Sequence, residues 1–353
     1  MEQTKRIFQN KTTVLEIDLF GGAITDFHLC QCKVNPLSFR FSKEQMPLNN
    51  QAGAPYQGHF LCLGRWGEPS AGEIKAGLPD HGQIANMMWE AAEQRQHELK
   101  MHATSSLEGL HIDRTIRMDI HHPVYLVKET VSNINPLGRL YNMVQHPTLA
   151  MPFLSHATTI DCNAAEGFNY LSYEQPEKNA SHWPEGITED QSIVNLGSSL
   201  NGVNSVFSFI VSRKDDLGWV TAYSPKDQLL FGYVWKRKDY SWINLWQDWD
   251  SDRIRYRGLE FGTTGIHKPF RQILEDGNSR VFGENTLTYI DAGEKQTRSY
   301  LSFLYKVQSG FKAVDSVSVK NDQIKIRARM DDRTIFLNII PEDSDLLQVF
   351  LQH

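Results

Sequence analysis

The sequence predicts an all-β sandwich, and three observations carry that reading. Short runs of alternating apolar and polar residues recur along the chain, close to the usual strand length and separated by turn chemistry. No segment carries a long, clean apolar stripe at 3.6-residue spacing. At 353 residues and 40% hydrophobic content the chain can bury one large core, and large β-sandwiches absorb such a length as one domain.

Residues 12–29 alternate, pause at Gly21-Gly22 and alternate again, as a hairpin or a bulged strand pair does. Residues 35–54 are polar, contain Pro and Asn, and read as loop with a helical turn. Between residues 56 and 90 a short apolar run, 58–67, has glycines at both ends, and a Pro79-Asp80-His81-Gly82 turn precedes an apolar-aromatic segment. Strands are expected at 98–105, 110–119, 124–134 and 141–149, set apart by Glu108-Gly109, His122-Pro123 and Asn135-Pro136-Leu137-Gly138. Residues 168–202, rich in Ser, Asn, Glu and Pro, read as long loops over one face. Strands resume at 205–212, 218–224, 228–235, 241–249 and 253–262, and then at 286–290 and 298–307. Runs at 316–319, 323–329 and 334–340 read as an appended β-meander covering a sheet edge that would otherwise invite pairing. The expected organisation is a sandwich over 1–307, with 308–353 as appended strands packed on the same domain.

Composition narrows the function. A net charge of −6 and a pI near 6.1 argue against nucleic acid, whose phosphates need clustered Lys and Arg. The one basic cluster, Lys236-Arg237-Lys238, is followed by Asp239 and reads as a solvated hairpin tip. Cys30, Cys32, Cys62 and Cys162 are too few for a disulfide scaffold and suggest free thiols in a reducing compartment. No run resembles a signal peptide or a membrane span, so a soluble cytoplasmic protein with no membrane partner is expected, as a monomer or homodimer. His102, His111 and His121-His122 lack metal-ligand spacing with an acidic partner, so no metal site is expected.

Gly58-His59-Phe60-Leu61-Cys62-Leu63-Gly64-Arg65-Trp66-Gly67, then Pro79-Asp80-His81-Gly82 and Trp89, resembles the aldose 1-epimerase (galactose mutarotase-like) family. His146-Pro147 resembles that family's second His-Pro segment, Glu260 its late strand carrying the base, and Asp291-Ala292-Gly293-Glu294 the turn closing its last core hairpin. The likeness spans residues 10–305, and it is the collinear order of short motifs that carries it. It implies a two-sheet β-supersandwich and a sugar isomerase without a cofactor.

Exchange of sugar anomers needs one group to take the anomeric hydroxyl proton and another to protonate the ring oxygen. Carboxylate and imidazole suit this near neutrality. The resemblance assigns Glu260 as base, His146 as acid and His81 as the imidazole holding a substrate oxygen. Asp80 either fixes the His81 tautomer or caps the turn. On a strand, Glu260 shares its face with Tyr256, Gly258 and Gly262, and the glycines leave room for a ligand. The bland alternative pairs Glu260 with Arg255 or Arg257. Asn142, Val144, His146 and Thr148 share another strand face.

Alternation in the run 241–250 (SWINLWQDWD) puts Trp242, Asn244, Trp246 and Asp248 on one face, suited to a pyranose. Arg65, Asn86, Trp246 and Asp248 are the expected substrate-binding residues. Gln57 and Ala85 stand where relatives acting on phosphorylated hexoses carry arginines, so an unphosphorylated small sugar is the expected substrate. Thr148 replaces the aromatic usual after His-Pro, leaving the sugar open. A non-catalytic sugar-binding module of the same fold needs the Trp face but not Glu260. Glycoside hydrolysis would need a second carboxylate, and only one matched acid is evident.

Overall fold

A strand with one apolar face must bury it, and here two sheets bury theirs against each other. The computed structural model describes residues 4–199 and 202–352. A thirteen-stranded sheet faces an eight-stranded one, and the main apolar cluster lies between them, from Leu15 and Phe27 to Trp235 and Phe261. The paired strands of both sheets run antiparallel. This is the all-β sandwich expected from the sequence, and all four cysteines are free thiols.

The middle of the larger sheet positions the site. Strands His59–Gly64, Arg139–Ala150, Arg253–Gly262, Trp242–Asp250, Ser205–Val211 and Ala164–Asn169 lie side by side in that order. Register sets Phe60 opposite His146, Thr148 opposite Gly258, and Glu260 opposite Asn244. The period of two does the rest. Leu259 and Phe261 enter the inter-sheet core, while Tyr256 joins the apolar cluster on the sheet's other face with Phe60 and Trp246.

The core also holds a polar chain that ties the sheets together. Arg114 and Glu129, both on the smaller sheet, are buried and paired at 2.7 Å. Gln145, from the larger sheet, donates to Glu129 Oε2 at 2.6 Å. Its own Oε1 meets His59 Nε2 at 3.0 Å, and His59 Nδ1 reaches Tyr233 Oη at 3.0 Å. Arg114, Glu129, Gln145 and His59 thus partner one another along this chain, as a dry interior demands.

Many strands fall where the alternation put them, Glu98–Ser105 and Arg253–Gly262 without displacement. The stretch read as loops over 168–202 contains short strands Ser181–His182, Glu185–Ile187 and Ile193–Asn195, which extend the larger sheet. Strands Phe311–Lys320, Gln323–Met330 and Arg333–Ile339 form a separate three-stranded sheet, followed by a helix, Ser344–Gln352. Val317, Ile326, Leu346 and Phe350 pack there against Val234 and Leu301, on the outer face of the eight-stranded sheet. Lys236 is consequently not at a solvated tip. It is buried with its ammonium 5.5 Å from the Phe350 ring centre, and Arg237 bonds Glu284.

Candidate active site

A cavity of about 410 Å³ opens on the face of the larger sheet turned away from the smaller one. His146 and Glu260, on adjacent strands, form its floor, with His146 Nε2 3.2 Å from Glu260 Oε1. His81 completes the group, its ring centre 5.6 Å from that of His146. Phe60 stacks on His146 at 4.3 Å and 21°, and Trp246 lies 6.1 Å from it.

The His81 turn is pressed onto the neighbouring strand. His81 has φ of +61° and Gly82 of +84°, and a Cβ at Gly82 would come within 2.0 Å of the Leu63 carbonyl oxygen. Only glycine fits. The His81 N–H donates to the Gly67 carbonyl at 3.0 Å, and the Gly67 N–H donates to His81 Nδ1 at 3.1 Å. A neutral ring whose Nδ1 accepts must carry its proton on Nε2. Asp80 has no part in this. Its carboxylate accepts from Asn49, and its carbonyl accepts from Tyr56 and Asn50, so it caps the turn.

Enclosure sets the charge state. Burial pushes the Glu260 carboxyl well above the usual carboxylate range, and the Trp66 indole beside it pulls only partly the other way. Burial holds His146 down to about 3 and His267 down to about 4. His81 is held well below 6.5 by burial and by the two neighbouring imidazoles. The favoured form of the pair is a protonated Glu260 beside a neutral His146, with His146 Nδ1 at 3.1 Å from Thr148 Oγ1. Glu260 Oε2 is buried without a hydrogen-bond partner, although its residue lines the cavity. Neither neighbouring arginine neutralises it, because Arg255 bonds Asp248 and Arg257 bonds Gln247 and the Leu196 carbonyl.

Of the expected binding residues, Trp246 lines the cavity and three do not. Arg65 is buried and pairs with Glu73 of the short helix Ala71–Lys75, whose capping box holds that carboxylate in place. Asn86 donates to the carbonyls of Ala54 and Asn50 and so ties down a loop. Asp248 is held by Arg255 at 2.7 Å beside a register shift between Asp248 and Trp249. Gln57 also faces elsewhere, donating to Asp18 and accepting from Arg40, and Ala85 is fully buried. Sequence reasoning missed His267, whose ring centre lies 5.4 Å from that of His81, and the Trp66 indole, 4.9 Å from His267. It also missed Phe39 and Phe41, which the stretch read as loop folds over the cavity, and Tyr170 and Glu68 at its margin.

Against known proteins, neither a family model nor a curated sequence matches this chain. Solved structures do. A galactose mutarotase-like protein from Clostridium acetobutylicum superposes with a TM-score of 0.60 at 12% identity, over 86% of this chain and 95% of its own. A galactose mutarotase related enzyme from Lactobacillus acidophilus gives 0.59 at 11% identity, over 86% and 98%. This chain has the galactose mutarotase-like fold. A TPR-domain containing protein from Parabacteroides distasonis shares it too, with a TM-score of 0.55 at 10% identity over 93% of this chain and 50% of that one. A shared fold at this identity does not carry an activity, so the activity has to be argued from the cavity.

Proposed function

We propose that this chain is an aldose 1-epimerase-like isomerase that interconverts the anomers of a free, unphosphorylated sugar. The observation that carries the reading is the Glu260–His146 pair, in contact on the floor of an aromatic-walled cavity where burial raises the carboxyl and lowers the imidazole. Mutarotation needs one proton donor and one acceptor at once, and such a pair supplies both. In the resting form the proton is on Glu260, so Glu260 gives to the ring oxygen while His146 takes from the anomeric hydroxyl. Ring closure on the other face reverses the two roles. Relative to the sequence-based assignment, acid and base are exchanged. The His81 Nε2–H is a fixed donor for a sugar oxygen, and Trp246 offers a ring for the apolar side of a pyranose.

Among the described residues no lysine or arginine lines the cavity, and the Lys268 ammonium at its margin already lies over the Tyr170 ring, 5.1 Å from its centre, so a neutral sugar is the expected ligand. Polarimetry on glucose, galactose and mannose and on their 6-phosphates tests the assignment. Faster exchange of at least one free hexose is expected, and a preference for the phosphates would overturn it.

The pH profile follows from the same pair. Above the His146 value of about 3 and below the raised Glu260 value, the pair holds one proton and stays competent. Lowering the pH through 6.5, where an ordinary imidazole charges, should leave kcat/KM level. The rate falls only on approach to about 3, when His146 gains a proton and ceases to accept, or at high pH, when Glu260 loses its own. Initial rates on acidification from pH 6.5 to 5 check this, and a loss of half the activity as the pH falls through 6.5 would contradict it.

A further inference from the structure

Beside the cavity lies a second and larger hollow of about 810 Å³, and Tyr170, Val206 and Trp246 line both. The two are therefore successive stretches of one trough running across the strands. Strand order gives its length. Ser205–Val211 lies two strands beyond the Glu260 strand and Ala164–Asn169 three, which is about 14 Å at the usual spacing. A single pyranose over the Glu260–His146 pair leaves the outer hollow unfilled.

The outer hollow continues the apolar wall of the inner one. Its shared wall is an indole, a phenol and an aliphatic side chain, and its margin carries Asn169, Asn204, Glu189 and Asp190. Among the described residues no lysine or arginine lines either hollow, and the Lys268 ammonium beside them lies over the Tyr170 ring, so a neutral ligand is favoured over an anionic one. Apolar surface for ring faces, with amides and carboxylates for hydroxyls, suits a second neutral sugar. Only a sugar with a free anomeric hydroxyl can exchange anomers, so the reducing residue sits over Glu260 and the next residue extends outward.

Resting on the isomerase reading above, we propose that the substrate class is a neutral reducing disaccharide or short oligosaccharide, its second residue seated between Trp246 and the 188–192 segment. The test compares anomer exchange by NMR on glucose and galactose with that on cellobiose, maltose and β-1,4-galactobiose. At least one disaccharide is expected to show a kcat/KM ten-fold or more above that of its own monosaccharide. Val203 and Leu171 line only the outer hollow and are 43% and 63% exposed, so substitutions there leave the core alone. Val203→Arg and Leu171→Arg, which fill the hollow, should each cut the disaccharide rate about ten-fold and leave the monosaccharide rate unchanged. Disaccharides no better than monosaccharides would overturn the second subsite while leaving the isomerase reading intact. So would variants that leave the disaccharide rate unchanged, or that slow both sugars alike. An absence of exchange on every sugar overturns both.

Discussion

Glu260→Gln is expected to slow anomer exchange by roughly 10²–10⁴ while sugar affinity changes little. The amide keeps the size of the side chain and can still hold a hydroxyl, but it can neither give up a proton nor take one as a carboxyl does. The position is built for a carboxyl. A Cβ on Gly258 would come within 2.9 Å of Glu260 Oε1 and 3.2 Å of the Trp246 Cβ, so glycine keeps that space open. A loss confined to kcat marks an interaction made in the transition state, whereas a rise in KM alone would mark Glu260 as a binding group. Polarimetric initial rates over a range of sugar concentrations separate the two.

Glu129→Ala is expected to destabilise the fold by about 3–5 kcal/mol. The substitution leaves the Arg114 guanidinium buried without its carboxylate, and Gln145 and Tyr240 lose the same acceptor. The cation–π contact of Arg114 with Trp89, at 4.4 Å, does not replace an ion pair. Domains of this kind are stable by about 5–15 kcal/mol, so the loss is a large share of the whole. Urea unfolding measures it as a fall in midpoint at unchanged slope. A change below about 1 kcal/mol would mean that water reaches the network and solvates Arg114.

Neither network member on the larger sheet was legible beforehand, whereas the catalytic candidates were, and the difference is physical. Alternation fixes which side of a sheet a residue takes, so Glu260 and His146 could be placed on one face and Leu259 and Phe261 on the other. Motif order brought His81 to them. Alternation does not say which loop will fold over that face, and Phe39, Phe41 and His267 all arrive from segments without a period. It also cannot foresee local capture. Asp248 has the right parity, yet Arg255 holds it next to a bulge, and Arg65 is taken by a glutamate eight residues on. The C-terminal helix Ser344–Gln352 buries Leu346, Leu347 and Phe350, too short a run for its stripe to repeat.

The most direct test of the account is two-dimensional exchange NMR of free hexoses with the native chain, run beside calorimetric binding of the same sugars. Cross-peaks linking the two anomers are expected well above the uncatalysed level for every sugar that binds, and are expected to be lost in the Glu260→Gln protein. Sugar bound by the native chain with no exchange above background would contradict it, and would make this mutarotase-like fold a sugar-binding module.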